Sequence, residues 1–298
     1  MKLLIALCRI FVATALVSAC SFNAASDTGQ GLSTTSVTQT KIAEVKLVEV
    51  KVTDVKVTEL RVLLFTKTAG YRHKSIAAGR AAIKKLAQSN GFTLVSSQNA
   101  TLFSDEKLQQ FNAIIFLNTT GNILTAEQQA SFERYIQSGG GYVGIHAATD
   151  TEPNWPWYGK LVGAYFASHP KPQAAIMMVN DNGHQSTAHL SSQWQRYDEW
   201  YNFKALNPQV NVLISLDETS YQGGKNGKHH PIAWYHEYDG GRAFYTGGGH
   251  SKKSYAEPEF LQHLLGGILY SAGYSAGARF KDKQLTNERF SNKQALEK

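Results

Sequence analysis

The stretch Gly139-Gly140-Gly141-Tyr142-Val143-Gly144-Ile145-His146-Ala147-Ala148-Thr149-Asp150 constrains this chain more than any other. Its first glycines end an amphipathic run, Tyr142, Val143 and Ile145 suit a short buried strand, and Ala147 and Ala148 are small enough to let another backbone come close. His146 then stands on a tight turn at the carboxyl end of the strand, the edge of an open α/β sheet at which ligands bind. Gly139, Gly141 and Gly144 also spell G-x-G-x-x-G. They follow a helix and lead into a strand, however, whereas a dinucleotide site needs strand, glycines and helix in that order, so that a helix amino terminus meets the pyrophosphate. No nucleotide cofactor is expected from them.

The surrounding pattern extends the α/β reading. Residues 61–65, 92–95 and 113–117 are apolar runs of the kind buried on both faces of a parallel sheet. Residues 75–90 read as a helix with Ser75 as its cap and Gly91 as its stop, and Thr125 with Gln128 forms a capping box before a second helix. Strands alternating with helices in this way predict a doubly wound, mostly parallel sheet. Farther on, residues 174–179, 212–216, 232–238 and 242–246 read as strands. The last two form a hairpin about Asp239-Gly240-Gly241. Residues 258–270 make a closing helix, with Phe260, Leu261, Leu264, Leu265 and Ile268 at helical spacing.

The amino terminus belongs to a different regime. Met1-Lys2 and the apolar run to Val17 resemble a secretory signal too short to span a bilayer. Leu16-Val17-Ser18-Ala19-Cys20 resembles a lipobox, which implies removal of residues 1–19 and acylation of Cys20. With Ser21 after the cysteine, the resemblance favours the periplasmic face of an outer membrane. Cys8 and Cys20 are the two cysteines of the chain, so the mature domain is expected to lack both a disulfide and a Cys nucleophile. Residues 20–58 read as a tether followed by a Val/Lys-rich extension, an edge strand or an extended spacer. Residues 59–273 are the folded domain and 274–298 a polar tail. The net charge of +7 is scattered rather than gathered into a basic stripe interleaved with aromatics, so nucleic acid is not an expected partner.

Nine of the ten histidines fall into two groups. His73, His146, His169, His230 and His250 stand at strand ends or in the loops after them, while His184, His189, His236 and His263 read as core or surface histidines. His146 and Asp150 lie four apart, so on a helical turn a carboxylate would orient the imidazole. Arg72 beside a helix amino terminus suits an anion or the oxygens of a polar ligand. Asp198-Glu199-Trp200-Tyr201 sets two carboxylates beside two aromatics that stack on a sugar ring or pack into the core.

These blocks carry a family resemblance. Gly70-Tyr71-Arg72-His73, the stretch 139–150, Gly163-Ala164 with Phe166 and His169-Pro170, Asp198-Glu199-Trp200-Tyr201, His230-Pro231-Ile232-Ala233-Trp234, and the run from Gly241-Arg242 to Gly249-His250 resemble the ThuA-like (trehalose utilisation) family. The resemblance implies a class I glutamine amidotransferase-like fold in which His146 occupies the elbow held by the catalytic Cys of the amidotransferases. Thiol-based glutaminase chemistry is therefore not expected, and no G-x-S-x-G elbow replaces it. It also implies carbohydrate use, including disaccharides and their 3-keto derivatives.

The resulting expectation is a polar cleft acting on a sugar, glycoside or keto-sugar. His146, Asp150 and His250 are its candidate acid/base groups. Tyr71, Arg72, His73, Trp200, Tyr201 and Trp234 are candidate substrate contacts. His146, His169, Glu199, His230 and His250 are candidate ligands of a divalent metal such as zinc. The alternative is a non-catalytic sugar-binding lipoprotein in which Trp155, Trp157, Trp200 and Trp234 provide stacking faces.

Overall fold

The computed structural model describes residues 59–275. The lipobox with Cys20, the tether and Val/Lys-rich extension, and nearly all of the polar tail lie outside those residues. No helix among the described residues is long and apolar enough to cross a membrane.

The first half is regular α/β: β1 (Arg61–Phe65), α1 (Ile76–Asn90), β2 (Thr93–Ser97), a one-turn α2 (Asp105–Leu108), β3 (Ala113–Leu117), α3 (Ala126–Gln137) and β4 (Gly141–Ile145). Then follow α4 (Pro156–Val162), β5 (Tyr165–Ser168), β6 (Gln173–Val179), β7 (Gln193–Asp198), β8 (Asn202–Lys204), β9 (Asn211–Leu216), β10 (Pro231–Tyr238), β11 (Gly241–Thr246) and α5 (Pro258–Ser271). Nine strands form one sheet in the order β2-β1-β3-β4-β11-β10-β9-β6-β7, and β5 pairs with β8 separately. The five strands from β2 to β11 are parallel, in the 2-1-3-4-5 arrangement of flavodoxin-like sheets. From β10 to β7 the pairing is antiparallel. The expected fold class holds, and the sheet also grows past the hairpin. β7 escapes a hydrophobicity reading because Gln193, Gln195 and Tyr197 face solvent along this edge strand.

Local chemistry explains the framework. β3 and β4 are buried throughout, and the aromatic rings of Phe116 and Phe132 stack at 5.5 Å between sheet and α3. Thr125 accepts from the Gln128 backbone N–H while the Gln128 side chain accepts from Thr125, so the capping box forms as the sequence predicts. Gly141 must lack a side chain, because a Cβ there would collide with the Ser271 carbonyl at the end of α5. Ser75 departs from expectation. Its side chain makes no cap bond to α1 and instead donates to the Gly249 carbonyl at 3.1 Å.

Register then fixes where function can sit. Ile145 at the end of β4 pairs with Leu117 on one side and Thr246 on the other, and Phe65 of β1 pairs with Phe116. The loops carrying His73, His146 and His250 consequently leave the sheet along one carboxyl edge.

Candidate active site and metal centre

His146 follows β4 directly, with a φ of +51° at the start of a 3-10 turn, His146–Asp150. That left-handed conformation costs a non-glycine residue of order 1 kcal/mol or more and is seen chiefly where the surroundings impose it. Here the surroundings are visible. The buried imidazole donates from Nδ1 to the Gly247 carbonyl at 2.8 Å, on the loop that leaves β11. A carbonyl oxygen can only accept, so the proton is on Nδ1 and Nε2 is turned toward Glu199, with its Oε2 3.5 Å away.

Glu199 is the hub. His250 Nδ1 lies 3.1 Å from Oε2 and His169 Nδ1 3.1 Å from Oε1. The rings of His73, His146 and His250 meet edge to face at 5.0 to 5.2 Å. Burial would by itself raise the Glu199 carboxyl, but the facing His146 and His250 side chains outweigh it and hold the group well below the usual carboxylate range. The same contact raises His250. His73 goes the other way: burial, reinforced by the neighbouring His146 and His250, lowers it to about 3.

One ligand atom from each of His73, His146, Glu199 and His250 lies within 4.8 Å of the others. His73 Nδ1, His146 Nε2 and His250 Nδ1 are buried and make no well-aligned hydrogen bond. Imidazole nitrogens without an aligned hydrogen bond, gathered about a carboxylate, are a donor set for a divalent ion, so this group could hold a metal. His169, more exposed and bonded at Nδ1 to the Pro170 carbonyl, lies against the Oε1 side of Glu199 and is not one of the four residues of this group.

A cleft of about 350 Å³ opens onto the cluster, lined by Tyr71, His73, Asp150, Phe166, His169, Glu199, Tyr201 and His250. That volume lies in the range of small-molecule sites. Tyr201 forms the inner wall, its ring 4.2 Å from His146 and 4.4 Å from Phe166. Tyr71, 61% exposed, stands at the rim with its ring edge-on to His73.

Several expected contacts are placed elsewhere. His230 is not in the cluster: it is fully buried, with Nδ1 against Glu218 at 2.7 Å and Nε2 against the Tyr201 carbonyl at 2.7 Å, so both nitrogens are committed. Asp150 lines the cleft but does not orient His146. With about three residues per turn in a 3-10 helix, positions four apart do not share a face, and Gly247 holds the imidazole instead. Burial raises the Asp150 carboxyl, with Lys204 opposing. Arg72 turns back to the Thr66 carbonyl at 3.1 Å and does not line the cleft. Trp200 and Trp234 are fully buried, with their indole N–H groups on the Gln173 and Val162 carbonyls. Trp155 and Trp157 stack on each other at 5.1 Å away from the cleft lining. Phe166 and the Gly247 carbonyl are contributors that the residue pattern did not single out. The sequence holds no direct signal for a carbonyl, and Phe166 carries only its place in the block ending at His169-Pro170.

The family model for ThuA, trehalose utilisation, matches residues 61–271. The chain belongs to the ThuA family. Among solved structures, one described as ThuA-like, from Bacteroides uniformis ATCC 8492, is 25% identical with a TM-score of 0.65, covering 76% of this chain and 96% of that one. Another ThuA-like structure, from Parabacteroides merdae ATCC 43184, is 16% identical at a TM-score of 0.61, over 76% and 96% of the two chains, and shares the fold. No curated protein matches the chain. All residues of the His/Glu cluster lie inside the ThuA match.

Proposed function

We propose that this ThuA-family protein is a metal-dependent enzyme acting on a sugar, glycoside or keto-sugar, lipid-anchored through Cys20 to the periplasmic face of an outer membrane. The observation that carries the catalytic reading is the convergence of three buried imidazole nitrogens, none with an aligned hydrogen bond, and one carboxylate beside an open cleft that His73, Glu199 and His250 line. The family description, trehalose utilisation, supports a carbohydrate substrate. His73, His146, Glu199 and His250 would hold a divalent ion such as zinc, which when bound supplies Lewis acidity toward a carbonyl or hydroxyl oxygen. Phe166 and Tyr201 offer an aromatic wall to the C–H face of a sugar ring. Asp150, its carboxyl raised by burial on the cleft lining, is placed to exchange a proton with a substrate hydroxyl.

The test is metal analysis together with turnover of 3-keto-disaccharides and the parent glycosides by wild type and His146→Ala. Loss of the metal and a fall of about 100-fold or more in kcat/KM is expected, within the range for removing an acid/base or polarising group. Equal turnover by the two would remove His146 from the mechanism. Calorimetry on the same substrates gives the contrasting outcome: binding without product, with metals supplied, would make the protein a sugar-binding module. For the anchor, Cys20→Ser should move the protein from the membrane to the soluble fraction, and an unchanged membrane association would remove the lipid from the account.

A further inference from the structure

Asp198, the last residue of β7, is fully buried, and both of its oxygens are saturated. Oδ1 accepts the N–H groups of Glu199 at 3.0 Å and Ser251 at 3.1 Å. Oδ2 accepts the Gly249 N–H at 2.8 Å and the Ser254 hydroxyl at 2.8 Å. Apart from Glu199, every donor belongs to the segment after β11 that carries His250. The Arg196 guanidinium supplies the counter-charge, its Nη2 3.5 Å from Oδ2, and is itself fixed by Glu257 at 2.6 Å and by the faces of Trp194 and Phe260.

The loop that Asp198 grips touches every member of the cluster. The Gly247 carbonyl holds His146. The Gly249 carbonyl accepts from Ser75, two residues after His73, and from Asn118 and Tyr255. His250 lies on the loop, and Glu199 follows Asp198 in the chain. Gly249 can serve both peptide faces because it sits at a φ of +110°, where a Cβ would also collide with the Tyr255 hydroxyl.

We propose that Asp198 is the positioning residue of this site, acting through the backbone of loop 247–251 to set His146, Glu199 and His250 relative to one another. The inference rests on the cluster being the functional site as read above. A carboxylate suits the task where an amide does not, because four donors converge on it and an amide would turn N–H groups toward N–H groups.

Imidazole 15N spectra of the chelator-treated, detergent-solubilised full chain test the proposal without metal or sugar. In Asp198→Asn the signals of His146 and His250 are expected to move, with the Nδ1–H of His146 exchanging faster, while those of His184 and His236 stay in place. Cluster signals that do not move in a folded variant, or a shift of all histidines together, would overturn it. If Asp198→Asn does not fold, Ser254→Ala removes one donor from the same carboxylate and should still displace His250, and an unmoved His250 counts against the proposal. Cobalt titration adds a second readout, with Kd expected to rise about 10- to 100-fold in Asp198→Asn, as for loss of an outer partner of a metal ligand. An unchanged Kd contradicts the positioning role. A wild type that takes up no cobalt refutes the metal reading instead and leaves Asp198 to be decided by the spectra.

Discussion

Glu199→Gln is expected to remove metal binding and turnover together, each by more than about 100-fold, the upper end of what loss of a mere outer partner costs. The reason lies in charge rather than shape. Glu199 is the carboxylate of the group formed with His73, His146 and His250, and it is the group that keeps His250 raised. Glutamine keeps nearly the same volume but brings one N–H₂ toward imidazole nitrogens and removes the negative charge that a dication needs. The sign of the accompanying titration follows: with the carboxylate gone, His250 should fall from its raised position, so a histidine titration of the metal-free variant reads the loss directly. Metal content by elemental analysis and kcat/KM on the same preparation complete the measurement. Retention of stoichiometric metal by Glu199→Gln would show that the ion, if bound, sits elsewhere.

How far the sequence reached can be argued from individual residues. The β1, β3 and β4 runs and the Thr125 capping box were legible because each depends on local pattern: continuous burial in a parallel strand, or a hydroxyl three residues from an amide. The parallel half of the sheet follows from those runs alternating with helices. β5, β7 and β8 were not legible, since short or edge strands lack an apolar run, and β7 presents Gln193, Gln195 and Tyr197 to solvent. For the site, position at a strand end places His73, His146 and His250 on one rim, and it also proposed His230. His230 shows the weakness of the criterion. It precedes an antiparallel strand, β10, and its nitrogens are taken by Glu218 and the Tyr201 carbonyl, a commitment that only tertiary structure reveals. Asp198 shows the converse, a carboxylate read only as a neighbour of aromatics whose bonds reach more than fifty residues ahead to Gly249, Ser251 and Ser254.

Trp234→Ala should destabilise the fold by about 3–5 kcal/mol, the usual range for emptying a buried large aromatic site, and should do so whether or not a sugar is present. The indole is fully buried. It stacks on Tyr245 at 4.4 Å, meets Phe203 edge-on at 5.3 Å, and lies over Gly163, where any Cβ would collide with its nitrogen. It also donates to the Val162 carbonyl at 2.9 Å, the last residue of α4, and so joins that helix end to β10. Alanine therefore opens a cavity and leaves a buried carbonyl without its donor, two costs that the neighbouring rings cannot both relieve by moving. Trp234→Phe separates them, keeping most of the volume while losing the N–H, and its loss should be smaller, about 1–3 kcal/mol. Urea midpoints of the three proteins provide the comparison, with calorimetry on a sugar panel as the control for a binding role. A Trp234→Ala protein as stable as wild type but unable to hold sugar would return the indole to the ligand and contradict its place in the core. The aromatic faces left for a substrate are then Phe166, Tyr201 and Tyr71, because these three line the cleft above the His/Glu cluster.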